Sequence, residues 1–456
     1  MNIFLSKMRR ILLSLLLLTL MLSTSSLDPT SCEVLTVVES IPDNLTFSNL
    51  SISNPSTTSA LMQILGAAQL NLDIAEYYFD LRPDPPAEDG SDDDGKGIWE
   101  GLLVTGHRLK AAGGALRIVH NLPDKGFPDK DSKDLAEDGA AQVQYLDFKK
   151  LIGGGIIHTK LWIADQSHFY LGSANMDWQS LRQVKELGIL GLNCPAVAQD
   201  LQKLFEIYWY LTTNPVPDNF PAVFDTIYNS SNPIKFQTLH PKSEMTAFLV
   251  SSPPQFCTKS RTVGIDGLLQ VLNSAEKYIH IEVMDYFPAI IFKYPNKYWP
   301  IIDDALRRAV FDRGVELRLL VGLMPHNLTR PDEYNYLSSL AALDGSGSHR
   351  QVVSKVKMFI IPSYTPAQSR LTYARVNHAK FVVTEKHTYV STSNWSGDYF
   401  TSTGGISLIM ENGGEGGCGV CGVVHQVFDR DWSSEHTQPL RPWGSGLVQE
   451  TQYPVF

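Results

Sequence analysis

The sequence has little cysteine. Five such residues in 456, Cys32, Cys194, Cys257, Cys418 and Cys421, cannot staple a chain of this length, so the fold must rest on an apolar core with disulfides as local fastenings. An odd count leaves one thiol without a partner inside the chain. Cys418 and Cys421 form a CxxC in a glycine-rich stretch with no second ligand pair, which reads as a disulfide or as surface thiols rather than as a zinc or redox site.

Charge is also sparse. Asp, Glu, Lys and Arg make up 19% of the chain against 43% hydrophobic and 10% aromatic residues, a composition that excludes a disordered protein. Positive charge is not in excess: 38 basic residues face 48 acidic ones, for a net charge of -10. That excludes a broad electrostatic grip on duplex DNA but leaves a local anion site open.

A long membrane-spanning run is missing from the N-terminus, where the apolar stretch Ile11 to Leu22 has twelve residues, short of the roughly 20 that cross a bilayer as a helix. Lys7, Arg9 and Arg10 precede it and Ser23 to Ser26 follow it. This is the grammar of a secretory signal over residues 1–26, with a retained anchor, and hence type II membrane attachment, as the alternative. Either way the remainder is expected in the secretory lumen. There the sequons at Asn44, Asn49, Asn229 and Asn327 are glycosylation candidates. A fifth, at Asn394, lies inside a chemical motif and is expected to stay unmodified.

Repetition is what the sequence does have. Its length suits two domains of roughly 200 residues each. Ala60 to Leu70 reads as an apolar-periodic helix running into a strand-like Asn71 to Leu81, and the same order returns at Gly267 to Lys277 and Tyr278 to Pro288, matching Leu72 to Ile279. Each half continues with glycine before an apolar strand, at Gly113-Gly114 and again at Gly314. Alternating elements of this kind predict an α/β fold of two similar domains, mixed sheets flanked by helices.

Asp80 to Gly97, crowded with Pro, Gly and an Asp run, reads as a surface loop. Thr212 to Pro254 reads as irregular and separates the halves. The expected division is 27–212 for the first domain, 213–254 for the connection and 255–456 for the second.

Each half carries one chemical motif. The first is His158-Thr-Lys160 with Asp165 seven residues after the histidine, then Ser173 and Asn175. The second is His378-Ala-Lys380 with Glu385 at the same offset, then Ser393 and Asn394. On a strand, a histidine and a lysine two residues apart project from one face. A lone histidine in an apolar strand is ordinarily a packed core residue. Two copies, spaced nearly as the repeat itself is, point instead to one shared site across a pseudo-twofold.

Phosphodiester cleavage accounts for these residue types. One imidazole attacks phosphorus to form a phosphohistidine, while the other protonates the departing oxygen and then activates water. Lys160 and Lys380, with Asn175 and Asn394, can surround the non-bridging oxygens. This chemistry calls for no metal and no cofactor.

The motifs resemble the paired HKD signatures of the phospholipase D superfamily. The stretches HTKLWIADQSHFYLGSANMDWQSLRQVKELG and YARVNHAKFVVTEKHTYVSTSNWSGDYF, with the flanks VESIP and WPIIDDALRRA, are similar to its phospholipase D3 and D4 branch from about Cys32 to Trp432. The resemblance implies one active site shared by two domains, with His158, Lys160, Asp165, His378, Lys380 and Glu385 as catalytic positions. It also implies a Cys32–Cys194 disulfide and a lysosomal 5′-to-3′ exonuclease acting on single-stranded DNA and RNA.

Glu385 departs from the superfamily's aspartate but matches this branch. Glu186, 28 residues past His158, matches a carboxylate that orients the motif histidine. Ile406 stands at the same offset in the second half, so His158 is expected to be the supported and more basic imidazole. Which histidine attacks stays open.

Three functions compete: a nuclease, a phospholipase D or transphosphatidylase acting on phospholipid, and a non-catalytic glycoprotein of the same fold. The motif residues disfavour the last. The aromatics Trp162, Phe169, Trp178, Tyr373, Trp395 and Tyr399 could stack on bases, although most are expected in the core. A homodimer is left open.

Overall fold

The computed structural model describes residues 30–48, 52–240, 242–322, 331–347, 351–413 and 417–440. The apolar N-terminal stretch and the sequons Asn49 and Asn327 lie outside them. Among the described residues no helix is long and apolar enough to cross a membrane.

Several strands are almost continuously apolar, as in Leu161–Ala164 and Gly405–Glu411, whose side chains are buried save the last. Such runs belong to a sheet covered on both faces. The sheet is mixed and has sixteen strands. Its first half centres on Asn71–Glu76, which pairs parallel with Ala115–Asn121 and antiparallel with Leu161–Ala164. In the second half Tyr278–Val283 pairs parallel with Glu316–Gly322 and antiparallel with Phe381–Thr384. Leu72 lies opposite Leu116 as Ile279 lies opposite Leu317, so the repeat seen in the sequence is a repeat of structure.

Helices close both faces. Thr57–Ala67 starts where the Ser56 hydroxyl accepts from the Ser59 amide at 3.0 Å, satisfying one of the orphan donors of a helix start. Its Leu61 and Ile64 join Leu72, Ile74 and Leu116 in a first-half core. Gly264–Ser274 and Ile301–Phe311 supply Leu268 and Leu306 to the matching second-half core. On the other face, helices Pro195–Leu211 and Gly419–Trp432 share one core, where Leu201 and Phe205 join Val424 and Phe428. The halves are therefore fused by apolar packing.

Two expectations are corrected. The loop predicted to reach Gly97 stops earlier, because a helix begins at Asp93 with Asp93 and Asp94 in its first turn, where carboxylates complement the positive end of the helix dipole. The segment 213–254 is not irregular throughout. It contains strands Ile234–His240 and Lys242–Ser252, which pair with Ser31–Ser40 and Gly405–Glu411 and so join the two halves of the sheet. Ile234, Phe236 and Thr238 alternate inward, a period-two signal masked by the Pro, Asn and Ser around it.

Cys32 and Cys194 form the expected disulfide, Cys418 and Cys421 form a second, and Cys257 is the free thiol.

A candidate active site shared by the two halves

The His-x-Lys segments lie just ahead of their strands rather than within them, since the strands begin at Leu161 and Phe381. Each segment is held by the other half. The His158 amide donates to the Gly404 carbonyl at 2.7 Å, and the His378 amide donates to the Lys185 carbonyl at 2.8 Å. This crossed pairing brings the two imidazoles together, with ring centroids 6.2 Å apart.

The ring partners differ. Nδ1 of His378 lies 2.9 Å from both carboxylate oxygens of Glu186, while Nδ1 of His158 meets the Thr392 carbonyl at 2.8 Å. A carbonyl only accepts, so His158 carries its proton on Nδ1 and presents a bare Nε2 when neutral. The Ser173 hydroxyl donates to Glu186 at 2.5 Å and fixes the carboxylate.

The expectation that Glu186 supports His158 is therefore corrected: the carboxylate crosses the interface and holds His378. Its counterpart is also corrected, from Ile406 to Gly405. The Ser173 amide donates to Leu187 O as the Thr392 amide donates to Ile406 O, so Leu187 matches Ile406 and Glu186 matches the residue before it. The shift arises in the strand turns, where Asp165, Gln166 and Ser167 in the first half face only Glu385 and Lys386 in the second. A side chain at Gly405 would require Ser393 to move, because a Cβ there would stand 2.2 Å from its hydroxyl.

Lys160 and Lys380 are buried, and each donates to the carbonyl of its own motif histidine. Burial pushes Lys160 down to about 8 and Lys380 well below the usual lysine range. Two desolvated ammonium groups facing one space form a site that an anion completes. Asn175 and Asn394 are tethered to the hydroxyls of Tyr78 and Tyr399. Their buried amide oxygens have no partner among the described residues, which marks a lining that the protein alone does not satisfy.

Asp165 and Glu385 sit elsewhere, at the far ends of the motif strands. Asp165 accepts from the amides of Gln69, Leu70 and Asn71 at 2.6–2.9 Å. Glu385 accepts from those of Glu276, Lys277 and Tyr278. Each carboxylate fastens the turn from helix to strand in its half, so the two act on the scaffold and not on the reacting atoms.

Burial drives both imidazoles toward the neutral form. His158 is held well below the usual histidine range by desolvation and by Lys160, Lys380 and His378. His378 is lowered to about 4, burial again dominating, but Glu186 pulls the other way. The same contact lowers Glu186 against its own burial and keeps it ionised. His378 is thus the more basic of the pair, the reverse of the order expected from sequence.

Residues outside the motifs complete the site. Glu76 is fully buried, its carboxyl raised well above the usual range by burial and moderated by Lys160. Tyr77 packs at a tilt against His158, with ring centroids 5.5 Å apart. Behind Glu186, buried Lys185 bridges Glu282 at 2.8 Å and Asp431 at 2.7 Å, and Arg430 links Asp431 to Glu39. Asn377, next to His378, donates to the same Glu282 oxygen at 2.8 Å. No spacing rule flagged these residues, because they come from six separate segments.

Of the aromatics named from sequence, Trp162, Phe169, Trp178 and Trp395 are packed in the interior. Tyr399 lies against His158 at 5.1 Å, and Tyr373 is exposed. Asn394 is buried, whereas Asn44 is exposed and Asn229 is half-buried with its amide donating to Ser260 O.

Residues 48–364 match the family described as PLD3/4, PLD-like domain. The human 5′-3′ exonuclease PLD3 is 42% identical over 412 residues, covering 90% of this chain and 81% of that protein. The human 5′-3′ exonuclease PLD4 is 40% identical over 416 residues, covering 90% and 79%. Among solved structures, a phosphatidylserine synthase from Haemophilus influenzae shares the fold, with a TM-score of 0.56, 10% identity and coverage of 87% of this chain and 88% of that one. With its two HKD-type motifs converging from matched halves, and with these relatives across most of its length, the chain belongs to the phospholipase D3/D4 family.

Proposed function

We propose that this protein is a phosphodiesterase that works through a covalent phosphohistidine and shortens single-stranded DNA and RNA from the 5′ end. The observation that carries the chemistry is the pair of imidazoles, supplied by different halves and 6.2 Å apart, each with Nδ1 engaged and Nε2 left for substrate. The nucleic-acid substrate is supported by the exonuclease names of relatives more than a third identical over nine-tenths of the chain.

The unequal ring partners assign the roles. A general acid must be charged before the reaction, and His378 has the Glu186 carboxylate to balance that charge. His158, facing a neutral carbonyl and surrounded by cationic groups, stays neutral with a free lone pair. In this reading Nε2 of His158 attacks phosphorus as Nε2–H of His378 gives its proton to the departing oxygen. His378, now neutral, takes a proton from the water that displaces His158 from phosphorus. Lys160 and Lys380 balance the charge on the non-bridging oxygens, and binding of that anion raises the readiness of His378 to hold its proton. The steps use side chains alone.

Residues 7–26 and the exposed sequon at Asn44 support a route through the secretory lumen to an endolysosomal or extracellular destination, with anchoring by residues 11–22 as the alternative. The substrate test is purified protein at acidic pH, with chelator, offered 5′-hydroxyl and 5′-phosphate oligonucleotides and phospholipid vesicles. Stepwise shortening from the 5′ end is expected. Lipid head-group release without shortening would replace the nuclease by a phospholipase.

A further inference from the structure

The mouth of the site carries an aromatic residue held outward by the fold. Residues 289–298 form a short hairpin, Ala289–Ile290 against Lys297–Tyr298. Its seating is firm. Asp398 accepts from the Ile291 amide at 2.7 Å and the Phe292 amide at 3.2 Å, and a Cβ at Gly397 would meet Ile290 and Trp299 at 2.8 Å. Yet the tip is open: Phe292 is 56% exposed and Tyr294 99%. An apolar ring fixed outward by backbone hydrogen bonds, rather than folded inward by burial, is available to a ligand.

That ring is connected to the chemistry. Phe292 packs edge-on against Tyr399 with centroids 5.9 Å apart, and Tyr399 packs edge-on against His158 at 5.1 Å. The neighbouring Lys293 is exposed and reaches over the glycine turn that leads into His158, its Cε 3.8 Å from where a Cβ of Gly154 would stand. A flat hydrophobic face and a cation therefore stand side by side at the rim, two ring contacts from the attacking nitrogen. Nucleotides present the complementary pair, a base and a phosphate, at the same repeat.

We propose that Phe292 is a stacking platform for a base adjacent to the cleaved phosphodiester, with Lys293 meeting the neighbouring phosphate. The inference rests on the nuclease reading and adds a substrate-binding position outside the HKD motifs. Stacking tolerates any base, so this contact secures the strand without imposing a sequence.

The test measures KM and kcat on a single-stranded oligonucleotide for the wild type and for Phe292→Ala, Phe292→Leu and Phe292→Trp. Phe292→Ala is expected to raise KM about tenfold with kcat within about twofold, as loss of one base stack implies. Leu keeps bulk without a flat face and should remain impaired, while Trp should match the wild type. Abasic residues at the two 5′-terminal positions should raise the wild-type KM by a similar factor and add little in Phe292→Ala. An unchanged KM in Phe292→Ala, or a full abasic penalty in that variant, would overturn the platform. So would loss of phospholipid-vesicle binding with oligonucleotide KM intact. Failure of the nuclease reading is distinct, since the wild type itself would then shorten no oligonucleotide.

Discussion

Glu186, from the first half of the chain, hydrogen-bonds Nδ1 of His378 in the second, with both carboxylate oxygens 2.9 Å away. The matching position on the other side is Gly405, and His158 receives a backbone carbonyl instead. This one substitution turns a duplicated site into an asymmetric one, with one imidazole able to hold a proton and one kept neutral.

Glu186→Gln tests that asymmetry through pH. His378 is already lowered to about 4 in the free protein, so its cationic form declines as pH rises and kcat/KM should fall along an alkaline limb. Removing the carboxylate charge lowers His378 further, because Glu186 is what raises it. The limb should therefore move to lower pH, with kcat/KM reduced at least tenfold at a fixed pH above it. A pH profile of unchanged position would show that the carboxylate does not set the proton affinity of this group.

Gly405→Ala tests why the asymmetry exists. The added methyl meets the Ser393 hydroxyl at 2.2 Å, so that side chain must shift, and overpacking of this kind costs about 1–3 kcal/mol. Denaturant unfolding should show that loss, and Ser393→Ala in the same chain should recover most of it. Equal stability of Gly405→Ala and the wild type would contradict the steric account.

Lys185→Met tests the support behind the site. The change leaves Glu282 and Asp431 buried without the cation both oxygens face, and breaking such a cluster costs about 3–5 kcal/mol. Thermal unfolding should move down accordingly. Replacing the acidic partners together with Lys185 by apolar residues should return part of the loss.

Much of this was legible in the sequence because the informative signals are local. The spacing of His158 and Lys160 and of His378 and Lys380, and the helix-then-strand order around Leu72 and Ile279, survive as structure. What was hidden depends on pairing between distant segments. The partner of Glu186 lies 192 residues away, and counting offsets misplaced its counterpart by one residue because one strand turn is shorter. The strands that fuse the halves, Ile234–His240 and Lys242–Ser252, were hidden by turn-forming residues at their flanks. Asp165 and Glu385 show the opposite limit: a motif can be read correctly while some of its members serve the scaffold.

The most direct measurement is acid-free rapid quenching of a single turnover on an oligonucleotide labelled at the scissile phosphate, followed by peptide mapping. The account predicts label on His158, no adduct in His158→Ala, and slower formation and release in His378→Ala. Label on His378 would reverse the assigned roles, and full turnover with no phosphohistidine at either residue would contradict the central claim.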